Sequence, residues 1–200
     1  MMQRYECLEQ LAPLITDQLV VTSLSGQRVE WGHLSKHDGN LLLGSMGNAL
    51  AVGLGLALAL PKRKVIVLES DGSLLLSLFN LPTVANMNPA NLAVFVFDNQ
   101  AYSGTKISEP TATAGKTDLA GMARSAGIEH SVTVRDLASF KREAAGAIGD
   151  AGLRFVVAKV DESRGHRKIE RTNVDLLENK YQFVRYLERT EGKAIFRGRG

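Results

Sequence analysis

At 200 residues, 44% of them hydrophobic, the chain suits one compact domain or a domain with a tail. Its net charge of +3, with the basic excess gathered near the C-terminus, argues weakly for an anionic ligand and hardly at all for nucleic acid. A single cysteine, Cys7, excludes an internal disulfide and a cysteine-rich zinc site and fits a reducing, cytoplasmic setting; no apolar stretch is long enough to span a membrane, and "MMQRYECLEQLAPL" lacks a signal-type core.

Tyr5, Leu8, Leu11, Ala12 and Ile15 recur at helical spacing and predict a first amphipathic helix. "QLVVTSL" reads as a strand closed by Ser25-Gly26, "QRVEWGHL" as a short helix, and "NLLLGSMG" as a short strand with a glycine-bracketed loop. "NALAVGLGLALAL" is apolar nearly all round, so it is placed against a sheet. "KVIVLES" and "NLAVFVFDN" have the near-continuous apolar character of parallel strands covered on both faces. Between them "SLLLSLFNLPTVANM" reads as one helix, with Pro82 the residue at odds with it. Residues 100–116 form a polar loop of a length that is often functional. "TDLAGMARSAG" follows as a helix capped by Thr117 or Asp118 and ended by Gly127. Then come the strand "SVTVRD", the helix "LASFKREAAGAIGDAG" and the last strand "RFVVAKV". Strands alternating with helices predict an α/β fold: an open, mostly parallel sheet with helices on both faces. Residues 1–160 form this domain, and 161–200 a basic extension with one helix, where Tyr181, Phe183, Val184 and Leu187 make an apolar stripe.

Two apolar strands end in oxygen-bearing side chains. Asp71 and Asn99 lie 28 residues apart, one strand–helix–strand unit, and open parallel sheets bind ligands beyond the carboxyl ends of their strands. Asp71 offers an anionic oxygen and Asn99 a neutral one. Gly72 admits close backbone approach, and Ser73 opens a helix whose free N–H groups suit phosphate. Together they read as a magnesium–diphosphate site. Asp-Gly-Ser taken alone reads more readily as a turn with a helix cap; the pairing with Asn99 is what favours the site.

"SDGS" followed by "DNQAY" resembles the diphosphate motif of thiamine diphosphate enzymes, and "GSMGNALAVGLGLAL" resembles their aminopyrimidine-gripping loop. The resemblance spans roughly residues 15–160. Within the 2-oxoacid decarboxylases it is nearest to the sulfopyruvate decarboxylase β subunits and to phosphonopyruvate decarboxylase, where "GSMG", "FDNQAY" and "PTAT" have counterparts. It implies that Asp71 and Asn99 bind Mg²⁺ by side chain and Ala101 by its carbonyl. It further implies that Gly72 and Ser73 meet the diphosphate, and that Gly44 and Met46 hold the aminopyrimidine by backbone, with the Met46 side chain bending the cofactor. Ser45 and Tyr102 join them as cofactor contacts. The motif's first glycine is Ser70 here, a departure that matters only where a positive φ is required.

Enzymes of this family take an activating glutamate from a pyrimidine-binding domain, and no segment of this sequence resembles one. The resemblance therefore implies a partner, an α subunit carrying that domain, in a hetero-oligomer built on dimers. Glu69 reads as structural, and Glu6, Glu9 and Glu30 as surface charges. For a small 2-oxoacid substrate, Lys106 and His37 are the candidate catalytic or acid-binding residues, with Lys116 and His33 behind them. The expected activity is non-oxidative decarboxylation to an aldehyde. A carboligase like acetolactate synthase and a non-catalytic regulatory module stay open. A dinucleotide-binding fold fails on its motif, for the glycine-rich segment is not Gly-x-Gly-x-x-Gly after a strand.

Overall fold

The computed structural model describes residues 1–24, 26–102, 108–161, 169 and 174–195. The first element is helix α1 (Arg4–Leu11), and Pro13 tightens the following turn into a 3₁₀ helix, Ala12–Leu14, where one α-helix to Ile15 is expected from the spacing. Then follow β1 (Leu19–Thr22), α2 (Gly26–Leu34), β2 (Asn40–Leu42), α3 (Ala49–Ala59) and β3 (Val65–Ser70). The expected long helix after β3 is two: α4 (Asp71–Leu75) and α5 (Asn80–Met87). Pro82 lies in the first turn of α5, where its missing N–H has no intrahelical partner to lose, so the break falls upstream at residues 76–79. After β4 (Leu92–Asp98), the polar loop holds a two-stranded antiparallel pair, β5 (Ala101–Tyr102) with β6 (Glu109–Pro110), and a 3₁₀ turn, Ala112–Ala114. The remaining elements are α6 (Leu119–Ser125), β7 (Ser131–Val134), α7 (Leu137–Gly149), β8 (Arg154–Lys159) and α8 (Leu176–Glu191).

Among the described residues the main sheet has six strands in the order β2-β1-β3-β4-β8-β7, all pairs parallel. Alternation along the strands sends Val20, Ile66, Leu68, Phe95, Phe97 and Val156 to one face, packed with Leu8, Leu11, Trp31 and Phe140. Val21, Val67, Val94, Val96, Phe155 and Val157 face the other way, against Leu50, Leu54, Leu81, Val84 and Ala123. Both faces are covered, which explains the unbroken apolar runs. Helix α3 buries only one side, with Ala51, Gly55 and Leu58 exposed. Its Gly53 lies so close to the sheet that a Cβ there would stand 2.2 Å from Val67 Cγ2.

Two features depart from the sequence reading. Glu30 is buried, paired with Arg4 at 2.7 Å across α1 and α2, and is not a surface charge. The helix of the C-terminal extension lies along the outer edge of β2, with Phe183, Tyr186 and Leu187 in the core. Tyr181, expected in its buried stripe, is exposed; Tyr186, one turn on from Phe183, is buried instead.

Candidate functional site

Because every strand of the main sheet runs the same way, the segments after β1, β2, β3 and β4 meet at one end. Asp71 opens α4 directly after β3, and Asp98 and Asn99 close β4 beside it. Ser70 caps α4, its hydroxyl accepting the Ser73 N–H at 3.4 Å, with φ −114°. Serine therefore serves where the motif has glycine, since no positive φ is needed.

Asp71 is 1% exposed. Its Oδ2 accepts the Thr111 hydroxyl at 2.6 Å and lies 3.1 Å from the Thr113 hydroxyl. Thr113 Oγ1 is 2.7 Å from Asp98 Oδ1 and 2.8 Å from Thr111 Oγ1. Asp98, equally buried, pairs with the Lys159 ammonium at 2.5 Å. Burial raises the Asp71 carboxyl above its ordinary range; Asp98 adds to the rise, while the Thr111 hydroxyl bond opposes it.

With Oδ2 occupied, Asp71 turns Oδ1 toward Asn99. The Asn99 amide stands with its oxygen facing Asp71 Oδ1 and the Ala101 carbonyl; the opposite amide orientation would donate to them at 3.1 and 3.0 Å. In that orientation the amide bridges the two, tying Asp71 to the Ala101 carbonyl. A carboxylate, an amide and a backbone carbonyl gathered in one place are the hard oxygen donors that Mg²⁺ takes, so the donor set fits that ion. Gln100 makes the arrangement possible: its φ of +63°, uncommon outside glycine, turns the chain between Asn99 and Ala101. Its backbone N–H is held by Asp98 Oδ1 at 3.1 Å and its side-chain amide by the Thr113 carbonyl at 3.2 Å.

The loop after β2 closes over the same end. Gly47, at φ +77°, donates its N–H to Ser73 Oγ at 2.8 Å, and Leu24 N–H reaches the Ser45 carbonyl at 3.4 Å. Gly47 thus ties the loop that carries Gly44, Ser45 and Met46 to the start of α4. Tyr102 folds over Gly72, whose absent Cβ would be 2.5 Å from the ring. Beneath lies Glu69, fully buried, its Oε1 accepting the Ser70 N–H at 3.0 Å; burial raises its carboxyl, against the pull of the Ser23 and Ser73 hydroxyls.

The structure thus gathers Gly44, Ser45, Met46, Asp71, Gly72, Ser73, Asn99, Ala101 and Tyr102. His37 does not join them. It precedes β2 at the amino end of the sheet, its Nδ1 accepting the Gly39 N–H at 3.1 Å and its ring edge-on to Tyr186. His33 ends α2, exposed, on that same side, because the helix returns the chain to the start of the next strand. Lys116 is exposed, and Lys106 lies outside the described residues. The sequence reading missed Asp98, Thr111, Thr113 and Lys159. The signals were a Thr-x-Thr pair in the polar loop and a lysine ending an otherwise apolar strand.

Residues 27–158 match the family described as thiamine pyrophosphate enzyme, C-terminal TPP binding domain. The chain belongs to the thiamine pyrophosphate enzyme family. Among relatives of this family it is 30% identical, over 174 residues, to the sulfopyruvate decarboxylase subunit beta of Methanocaldococcus jannaschii, covering 86% of this chain and 90% of that one. It is 39% identical over 104 residues to the phosphonopyruvate decarboxylase of Streptomyces viridochromogenes, 51% of this chain and 26% of that one. Two solved structures share the fold. Benzoylformate decarboxylase from Polynucleobacter necessarius superposes with a TM-score of 0.65 at 17% identity, and a thiamin diphosphate-dependent enzyme from Mycobacterium smegmatis with 0.68 at 18%. The chain covers 33% and 32% of those two, so this thiamine pyrophosphate enzyme chain corresponds to about a third of each.

Proposed function

We propose that this chain is the β subunit of a thiamine diphosphate- and Mg²⁺-dependent decarboxylase, sulfopyruvate decarboxylase-like, that works with a separate α subunit carrying the pyrimidine-binding domain. The observation that supports the metal reading is the gathering of the Asp71 carboxylate, the Asn99 amide and the Ala101 carbonyl beyond the carboxyl ends of β3 and β4. The match to 90% of the length of a sulfopyruvate decarboxylase β subunit carries the division into subunits.

Bound thiamine diphosphate supplies a nucleophilic carbon and an electron sink, the chemistry by which a 2-oxoacid loses carbon dioxide and leaves as an aldehyde. The residues of this chain bind and orient. Asp71, Asn99 and Ala101 hold Mg²⁺; Gly72, Ser73 and the overlying Tyr102 receive the diphosphate. Gly44, Ser45 and Met46 receive the aminopyrimidine, kept in place through the Gly47–Ser73 bond. The glutamate that exchanges a proton with the pyrimidine ring comes from the α subunit, because Glu69 is enclosed beneath the loop. The assembly is a hetero-oligomer of the cytoplasm.

Calorimetric titration of thiamine diphosphate and Mg²⁺ tests this, on the chain alone and with its candidate α partner. Mutual dependence of cofactor and metal, sharp tightening with the partner and loss in Asp71→Ala are expected, followed by carbon dioxide release from sulfopyruvate. Acetolactate from pyruvate would make the enzyme a carboligase, and absence of cofactor binding in both preparations would leave a regulatory module.

A further inference from the structure

Helix α8 carries none of the residues assigned above, yet its contacts converge on the cofactor loop. Strand β2 is the sheet edge and only three residues long. An edge strand points its alternate N–H and C=O groups outward with no neighbour to take them. Here one side chain takes both. Asn179 Oδ1 accepts the Leu42 N–H at 2.8 Å, and its Nδ2 donates to the Asn40 carbonyl at 2.9 Å. The amide acts as a one-residue extra strand. Immediately downstream, Leu176 Cδ1 would stand 2.7 Å from a Cβ on Gly44, so the first turn of α8 rests against the loop's first glycine.

The helix itself is firmly seated. Asp175 caps it, accepting the Leu177 and Glu178 N–H groups at 2.8 and 3.1 Å. Phe183 and Leu187 are buried, Glu191 pairs with Arg63 at 2.7 Å, and Arg63 reaches the Tyr186 hydroxyl at 3.0 Å. A helix so anchored can transmit position to what it touches.

We propose that α8 is a brace for the aminopyrimidine loop, with Asn179 its positioning residue: by fixing the edge strand β2 it fixes where Gly44–Met46 stand. This rests on the cofactor assignment of that loop. Its consequence is that cofactor affinity depends on a helix that touches neither cofactor nor metal.

The test uses the full chain with its α partner and two variants. Asn179→Leu keeps the bulk and removes both bonds; Asn179→Asp keeps the acceptor for Leu42 N–H and loses the donor. Asn179→Leu is expected to raise the thiamine diphosphate Kd about tenfold, the scale of one net hydrogen bond, with kcat at saturating cofactor within about twofold of wild type. Asn179→Asp is expected to fall between the two. Hydrogen exchange on the cofactor-free chain gives an independent readout: the Gly47 amide should exchange faster in Asn179→Leu, while the β3 and β4 amides stay as protected as in wild type. An unchanged Kd and unchanged Gly47 exchange, with only a lowered Tm, would overturn the brace. Faster Gly47 exchange in Asn179→Leu, with a wild-type assembly that itself binds no cofactor, would instead keep the mechanical coupling and remove the cofactor reading.

Discussion

Thr111→Val tests whether Asp71, the proposed metal ligand, is set by its hydroxyl neighbours. Valine matches threonine in shape and removes one proton donor. In the wild type, two hydroxyl protons, from Thr111 and Thr113, serve two buried carboxylates, and each hydroxyl has a single proton to give. With Thr111 gone, Thr113 must choose between Asp98 at 2.7 Å and Asp71 at 3.1 Å, and the shorter contact wins. Asp71 Oδ2 then loses its donor. A hydrogen bond to a charged group contributes about 1.5–3 kcal/mol. Partners of metal-binding groups typically affect metal affinity by about 10–100-fold. The Asp71 carboxyl, already held high by burial, rises further, so the metal must displace a more tightly held proton. The deficit is therefore expected to be larger at pH 6 than at pH 8. Mn²⁺ standing in for Mg²⁺, titrated by electron paramagnetic resonance with thiamine diphosphate and the α partner present, measures it directly. Thr111→Ser should restore most of the affinity. Mn²⁺ binding by Thr111→Val within twofold of wild type at both pH values would refute the reasoning.

Three further outcomes follow from packing and burial. Glu69→Gln should stabilise the cofactor-free chain by about 1–3 kcal/mol at pH 8, because burial disfavours the charged Glu69 carboxylate and glutamine carries no charge. The folded chain holds the Glu69 proton more tightly than the unfolded chain, so wild-type stability falls as pH rises above the ordinary carboxylate range, and the advantage of glutamine should vanish near pH 4. Parallel melting curves for the two proteins at all pH values would contradict this. Lys159→Met strands a buried carboxylate and should cost about 3–5 kcal/mol in denaturant unfolding, with Asp98→Asn added on top recovering part of it. Gly53→Ala should lower stability by about 1–3 kcal/mol through its clash with Val67, and Val67→Ala should relieve that clash in the double variant.

The apolar runs that became β3 and β4 were legible because strands covered on both faces leave no polar positions between their ends. Asp71 and Asn99 could be paired for the same reason: adjacent parallel strands joined by a crossover bring their carboxyl ends together. Thr111 and Thr113 were not legible as partners of Asp71, since they return to the site through a polar loop whose course no periodicity predicts. His37 was misplaced because it lies close in sequence to Gly44, while the intervening β2 carries the chain from one end of the sheet to the other. The stripe on α8 announced an apolar face without saying what covers it. Only the edge position of β2 explains why that helix docks where it does.

The Asp98–Lys159 pair has an electrostatic consequence for the order of events at the site. Of the two carboxylates that share the threonine hydroxyls, the ammonium pairs with Asp98, leaving Asp71 as the one with no cation against it among the described residues. One charge does not neutralise a dication. On the proposed reading the deficit would fall to the anion that arrives with it, so Mg²⁺ and the diphosphate would each complete the charge balance that the other lacks. Their binding is reciprocal by thermodynamic necessity, each tightening the other by the same factor. A free carboxylate in place of that ion pair would give a trap for bare cations; the lysine makes it a receptor for a salt.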